Sequence, residues 1–288
     1  MALLRIGYLG PAGTFSHGAL EATGAEGEQV PVATVRDAVL GVQDGTLDRA
    51  LVPVENAIEG GITATIDTLV REAPDVIVCG EHLEPISNAL LVRPGVTLEQ
   101  VRRVRSHPQP LAQCRATLAR LLPGIPLHAD TSTAAAIEAV MAAAEPEAAV
   151  GAAGAAPRYG ATVIAKALED EPGNITRFWW LSRGDPDDGR EPSDPGPWKC
   201  SIVWDGDGDT EPGWLLACLR LFADRDLNLT RIESRPSLQR LGHYVFVIDV
   251  QAHHRSAPLA AALAELRSRS GGVRVLGSYR PAQPGHGH

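Results

Sequence analysis

The side chains of this 288-residue chain that could do chemistry are mostly neutral hydrogen-bonding groups, gathered in four short stretches. In "GYLGPAGTFS", Gly10, Pro11, Gly13, Thr14 and Ser16 stand between a strand and a helix. Backbone N–H groups and the helix dipole at such a junction suit a carboxylate or phosphate. The spacing is not GxGxxG, and no acidic residue at the expected distance supports a dinucleotide site. An N-cap with a tight turn is the competing reading. "VPVENAIEGGITATIDTL" sets Glu55-Asn56 at a strand end before Gly60-Gly61. That asparagine either presents its amide to a ligand in an α/β cleft or closes an Asx turn. "SHPQPLAQC" collects Ser106, His107, Gln109 and Gln113 around two prolines. With no adjacent acid to orient His107, a serine-hydrolase triad fits poorly, and a capped helix start is the alternative. In "PGNITRFWWL", Pro172-Gly173-Asn174 makes a turn, and the apolar run from Phe178 to Leu181 reads as a buried strand. Turn and strand leave the Thr176-Arg177-Phe178 order unexplained.

The chain must supply elements that bring these stretches together. Its length suffices for two domains, and a charged fraction of 21% beside 44% hydrophobic residues is that of an ordinary globular protein. A net charge of -9 argues against a nucleic-acid partner but leaves room for a small anion held by local donors. No apolar run reaches the roughly 18 residues of a membrane helix. "MALLRIGYLG" is too short and too strand-like for a secretory signal, so a cytoplasmic protein is expected. Cys79, Cys114, Cys200 and Cys218 are dispersed, as buried thiols are, and no zinc, HExxH or Walker spacing occurs. His253-His254 and the terminal "GHGH" read as exposed loop and tail.

The Pro-, Gly- and Asp-rich stretch from Gly184 to Pro197 reads as a linker, dividing residues 1–183 from a second domain over 198–281. The second part is the easier to read. "KCSIVWD", "GWLLACLRLFADRD", "LNLTRIES", "HYVFVIDVQA", Pro258 to Arg269 and "GVRVLGSYR" give the order βαββαβ, a ferredoxin-like unit. The first part alternates strands such as "LRIGYLG", "RALVPVEN", "VIVCGEH" and "SNALLVR" with helices, one of them "STAAAIEAVMAAA" capped by Ser132 or Thr133. This is an α/β fold, expected in two lobes with a cleft between them. The Ala-rich text from Ala134 to Ala156 is expected to be helix and tight packing.

Each polar stretch is weak singly; their order is not. "GPAGTFS", "PVEN", "SHPQPLAQC", "STAAA" and "GNITRF", followed by a βαββαβ domain carrying "ESRPS", resemble the prephenate dehydratase family from Gly7 to about Arg280. The resemblance implies a dehydratase domain of two lobes like type II periplasmic binding proteins, followed by an ACT regulatory domain. It implies decarboxylative dehydration of prephenate to phenylpyruvate in phenylalanine biosynthesis, with no cofactor and no metal. Carried over residue by residue, Thr176, Asn56, Ser106 and Gln113 become catalytic. Thr14, Ser16, Arg177 and Phe178 become substrate-binding, although Arg177 could equally pair with a domain acid. Gly213, Leu215, Asn228 and Leu229 match the effector site for L-phenylalanine, which in this family lies between two ACT domains of a homodimer or homotetramer. Glu233, Ser234 and Arg235 are expected at the regulatory interface.

The chain departs from the family pattern at Ala57, Gly61 and Asn88, where serine, serine and histidine are common, and at Trp214, where a small residue is usual. These changes bear on the choice between prephenate and its aminated relative arogenate, and on the effector. A non-catalytic small-molecule binder with an amino-acid sensor domain is the rival from another class.

Overall fold

The computed structural model describes residues 3–185, 196–206, 211–237 and 243–282. Most of the expected linker, and the terminal "GHGH", lie outside those residues. No helix among the described residues is long and apolar enough to cross a membrane.

The first part of the chain forms two lobes, each around its own sheet. In the first, the strands run in the order Glu28–Val32, Arg5–Leu9, Arg49–Asn56, Ile175–Arg183, Val76–Pro85. The first three are parallel, and Ile175–Arg183 enters antiparallel between its two neighbours. Arg49–Asn56 is buried almost throughout, which its run of Ala, Leu, Val and Pro allows at the centre of a covered sheet. In the second lobe the order is Thr162–Ala165, Asn88–Val92, Glu147–Ala152, Arg103–Ser106, Leu127–Ala129. The chain crosses between lobes twice, after Pro85 and before Ile175, and the crossings are tied where Ile86 N donates to Asn174 O at 2.8 Å.

One expectation fails here. Residues 147–152 of the Ala-rich stretch are not helix but a buried strand, central in the second lobe, with Ala148 and Ala149 fully enclosed. Alanine has low strand preference and no periodic signal, so only the neighbouring strands make this segment extended. The helix before it, Thr133–Ala142, is capped as expected: Ser132 Oγ accepts from Ala135 N at 3.0 Å.

The last domain has the βαββαβ order, with strands Lys199–Asp205, Leu229–Pro236, Tyr244–Val250 and Gly272–Tyr279 in one antiparallel sheet. Its strands alternate apart from one irregularity each in the Lys199–Asp205/Gly272–Tyr279 and Leu229–Pro236/Tyr244–Val250 pairings. Cys200, Ile202, Trp204, Phe246, Ile248 and Val250 pack under the helices Trp214–Ala223 and Ala257–Arg267. Val203, Val247, Leu276 and Tyr279 pack on the other side against the first lobe. The approach is close: a Cβ at Gly277 would stand 2.0 Å from Val78 O, so only glycine fits. Arg274 caps the helix Thr63–Arg71 across this boundary, donating to Leu69 O and Ala73 O at 2.8 Å each. His253, expected in an exposed loop, is buried instead, its ring 4.5 Å from that of Trp198.

Candidate active site

A cavity of about 490 Å³ lies between the lobes. Leu9, Thr14 and Ser16 line it from the first lobe, and His107, Gln113, Ser132 and Thr133 from the second. Asn56, Asn174, Thr176 and Phe178 line it beside the crossings. Strand pairing explains the last group. Asn56 and Thr176 are 120 residues apart in sequence yet sit opposite each other in the ladder.

Asn56 is fully engaged. Its Nδ2 donates to Thr176 Oγ1 at 2.9 Å and to Asn174 Oδ1 at 2.8 Å, while its Oδ1 accepts from Ile58 N at 3.0 Å and Glu59 N at 3.1 Å. The Asx turn is therefore present, and both amide protons go to protein partners rather than to a ligand. The amide serves Thr176. A hydroxyl has one proton to give and two lone pairs. With a lone pair taken by Asn56, the Thr176 O–H is left as a donor beside the cavity.

The remaining expected residues divide. Thr14 caps the helix Phe15–Ala22, accepting from His17 N at 3.3 Å and donating to Leu9 O at 3.0 Å. Its hydroxyl is committed to the turn, so what it offers the cavity is a helix N-terminus. Ser132 places a second helix N-terminus on the opposite wall. Gln113 Nε2 reaches across the lobes to Glu59 Oε1 at 3.3 Å. Phe178 lines the cavity with its ring packed among Ile6, Tyr8 and Leu51.

Three placements correct the expectations. Ser106 is fully buried, outside the cavity, and its Oγ donates to Val150 O at 2.7 Å; it holds the strand end beneath the helix Pro108–Gln113. Arg177 points to the opposite face of its strand, because side chains at 176 and 177 must alternate. There it donates to Glu81 Oε2 at 2.7 Å, to Asp249 and to Tyr279 Oη at 2.9 Å, so it pairs with domain acids rather than holding a substrate carboxylate. Burial opposes its charge, but Asp249, Tyr279 and Glu81 outweigh that and raise its pKa. Ser234 is exposed on the face of its strand turned away from the first lobe, because Arg231, Glu233 and Arg235 occupy the facing side. Arg235 Nη2 pairs with Asp67 Oδ2 at 2.8 Å, and a Cβ at Gly61 would meet Glu233 Oε2 at 2.5 Å. Asn88 is buried outside the cavity and does not line it.

The sequence signals missed Glu59, Ser132, Thr133 and Asn174 as cavity residues. Asn174 was read only as a turn, and the cap signal at Ser132 carried no hint of what it faces. Among the described residues no Arg or Lys lines the cavity, and Glu59 is its one carboxylate.

In the last domain, Gly213 caps the helix Trp214–Ala223 in the left-handed region at φ 85°, with Leu215 half-buried on its first turn. Asn228 and Leu229 lie at the other end of the sheet, where Leu229 and Cys200 both stand opposite Val250. The Trp214 ring is held by its own chain: Nε1 donates to Arg269 O at 3.0 Å and the ring centre is 5.9 Å from that of Phe246.

Comparison with known proteins matches residues 6–186 to the prephenate dehydratase family model and residues 209–268 to that of the ACT domain. A prephenate dehydratase from Mycobacteroides abscessus is 40% identical over 283 residues, covering 96% of this chain and 89% of that protein. The structure of prephenate dehydratase from Arthrobacter aurescens in complex with L-Phe superposes with a TM-score of 0.86 at 37% identity, covering 98% and 92% of the two chains. The structure of GqqA, described as a quorum quenching acylase, gives 0.85 at 30% identity, covering 96% and 98%.

Proposed function

The chain belongs to the prephenate dehydratase family, and on that premise we propose that it converts prephenate to phenylpyruvate under control of L-phenylalanine. In this reaction the bond between the ring and its carboxylate breaks, and the electron pair moves into the ring. The C–O bond on the opposite carbon breaks in turn, and the departing hydroxide takes up a proton. Prephenate dianion and one proton give phenylpyruvate, carbon dioxide and water. Aromatisation drives the step, so the protein needs to orient the dianion, exclude water and donate a hydrogen bond to the leaving hydroxyl.

The cavity suits those tasks. Two helix N-termini, at Thr14–Ser16 and at Ser132–Thr133, face it from opposite lobes and favour one carboxylate each. A tight ion pair to the carboxylate that leaves would hold it in its charged form and oppose its loss as neutral gas. A lining without Arg or Lys among the described residues avoids that. Thr176 donates to the leaving hydroxyl, Asn56 sets the direction of that donation, and Gln113 with Glu59 closes the lobes over the substrate. A threonine hydroxyl is too weak an acid to surrender its proton outright, so the proton itself comes from water or a second group.

L-Phenylalanine binds at the ACT domains, between Gly213 and Leu215 of one copy and Asn228 and Leu229 of another. The two halves stand at opposite ends of one sheet, so a site using both needs a second chain. Exposed Leu216 and Ile232 supply apolar surface for a homodimer or larger assembly. Glu233 and Arg235 carry the signal toward the Gly60-Gly61 turn and the helix that bears Asp67.

The single observation that carries this reading is the Asn56–Thr176 bond beside the inter-lobe cavity. Its test is to mix purified protein with prephenate at neutral pH and follow phenylpyruvate. No turnover would overturn it, and amide hydrolysis in the same preparation would point instead to the acylase relative. Titration calorimetry with L-phenylalanine tests the effector, and absence of binding removes it.

A further inference from the structure

Arg177 is the most heavily bonded side chain behind the cavity, and the dehydratase chemistry as derived above makes no use of it. Its neighbours come from three places. Glu81 belongs to the adjacent strand Val76–Pro85, and Glu55 precedes Asn56 on the strand across the ladder. Asp249 and Tyr279 belong to the last domain, and both are fully buried. Ser201 Oγ joins those two, donating to Asp249 Oδ1 and lying 2.7 Å from Tyr279 Oη. Lys199, also from the last domain, balances Glu81 at 2.8 Å and 3.0 Å. Two cations and two fully enclosed carboxylates thus form a closed cluster, with half-exposed Glu55 at its rim.

The cluster sits beside an irregularity on one edge of the strand, while the other edge pairs regularly with Val76–Pro85 from Ile175 to Trp180. Pairing with Arg49–Asn56 is regular at Thr176 and Arg177, then slips between Arg177 and Phe178, so that Val54 on the neighbouring strand has no counterpart in this one and its carbonyl accepts instead from Ile62 N at 2.9 Å. A bulge loosens and redirects the side chains beside it. Here it adjoins the residue whose hydroxyl must be aimed.

We propose that Arg177 is a positioning residue for Thr176, gripped from behind by Asp249, so that the ACT domain is a working part of the dehydratase site even with no effector bound. This rests on the dehydratase reading above. Arg177 touches no cavity surface and acts only by fixing the backbone of the strand on which Thr176 stands. Removing the Asp249 charge frees the guanidinium to turn, lets the bulge relax and misdirects the Thr176 hydroxyl, while the groups that bind the substrate carboxylates stay in place.

The test is steady-state turnover of prephenate by the full chain in three variants. Asp249→Asn keeps shape and size, Tyr279→Phe removes one hydroxyl that accepts from Arg177, and Asp67→Asn breaks the inter-domain ion pair with Arg235, away from the catalytic strand. A positioning role lowers kcat about tenfold in Asp249→Asn and about threefold in Tyr279→Phe, with KM within about twofold and Asp67→Asn within about twofold of the unchanged protein in both constants. Equal falls in Asp249→Asn and Asp67→Asn mean that docking alone matters and overturn the proposal. So does a rise in KM that accounts for the loss, or an unchanged kcat in Asp249→Asn. If Asp249→Asn yields no folded protein, Tyr279→Phe decides: a lower kcat at constant KM supports the proposal and an unchanged kcat refutes it. An unchanged protein that is itself inactive removes the dehydratase reading and this inference together, a result distinct from active protein with indifferent variants.

Discussion

The two faces of the Ile175–Arg183 strand treat polar groups in opposite ways. Toward the cavity, Thr176 meets one amide and keeps its hydroxyl proton unclaimed, among neutral donors and two helix ends. Toward the ACT domain, Arg177 is enclosed by carboxylates and a phenol, and Trp179 is stacked beneath the guanidinium groups of Arg177 and Arg231 at 5.6 Å and 5.5 Å. Successive residues serve the two faces by the period of two that any strand obeys. Charge is useful on one face and harmful on the other. A carboxylate that must leave as neutral gas is better held by dipoles, whereas a strand that must not shift is better held by buried ion pairs. Such pairs add little net stability, but loss of one partner is strongly felt.

That contrast can be broken from either side. The largest effect is expected from the back face: Trp179→Ala removes a fully buried side chain from the packing between strand and ACT domain and costs about 3–5 kcal/mol, measured by urea unfolding. A loss under about 1 kcal/mol would mean that the domain is not anchored there. Next comes the cavity face. Asn56→Asp turns the donor to Thr176 into an acceptor, drawing the hydroxyl proton away from the substrate, and turnover should fall about 100-fold. Because Asn56 acts through Thr176, adding Asn56→Asp to Thr176→Ala should cost little more than either alone. Full additivity of the two losses would show that Asn56 touches substrate itself.

The smallest effect concerns pH. Burial first, and then the Asp249 carboxylate, hold the Tyr279 phenol well above its ordinary value of 10.0. The folded chain keeps a proton that the unfolded chain gives up at about pH 10, so this contribution is intact below that pH and is lost as pH rises above it. Melting temperatures taken from about pH 8 to about pH 11 should show an alkaline decline that Tyr279→Phe makes shallower. An identical decline in both proteins would place the sensitive group elsewhere.

Sequence alone reached far for the fold and less far for the site. The βαββαβ domain was legible because its strands alternate and its helices are periodic. The cap at Ser132 and the strand from Phe178 to Leu181 followed from local chemistry. Residues 147–152 were not legible, since a strand of one glutamate followed by alanine, valine and glycine carries no signature of its own. Alternation along "TRFWW" places residues 176 and 177 on opposite faces, yet nothing local says that an ACT domain lies behind one of them. Asn56 shows the same limit: its Asx turn is local, but its partner Thr176 is brought to it by the ladder. Ser106 and Ser234 were assigned by resemblance, and burial in one case and strand parity in the other move them away from those duties.

The measurement that bears most directly on the cavity's chemistry is the turnover of prephenate by Thr176→Ala and Thr176→Ser beside the unchanged protein. The expected result is a fall in kcat of about 100-fold or more for alanine with a lesser change in KM, and substantial recovery for serine, which restores the hydroxyl. A Thr176→Ala protein that forms phenylpyruvate at nearly the original rate would contradict it.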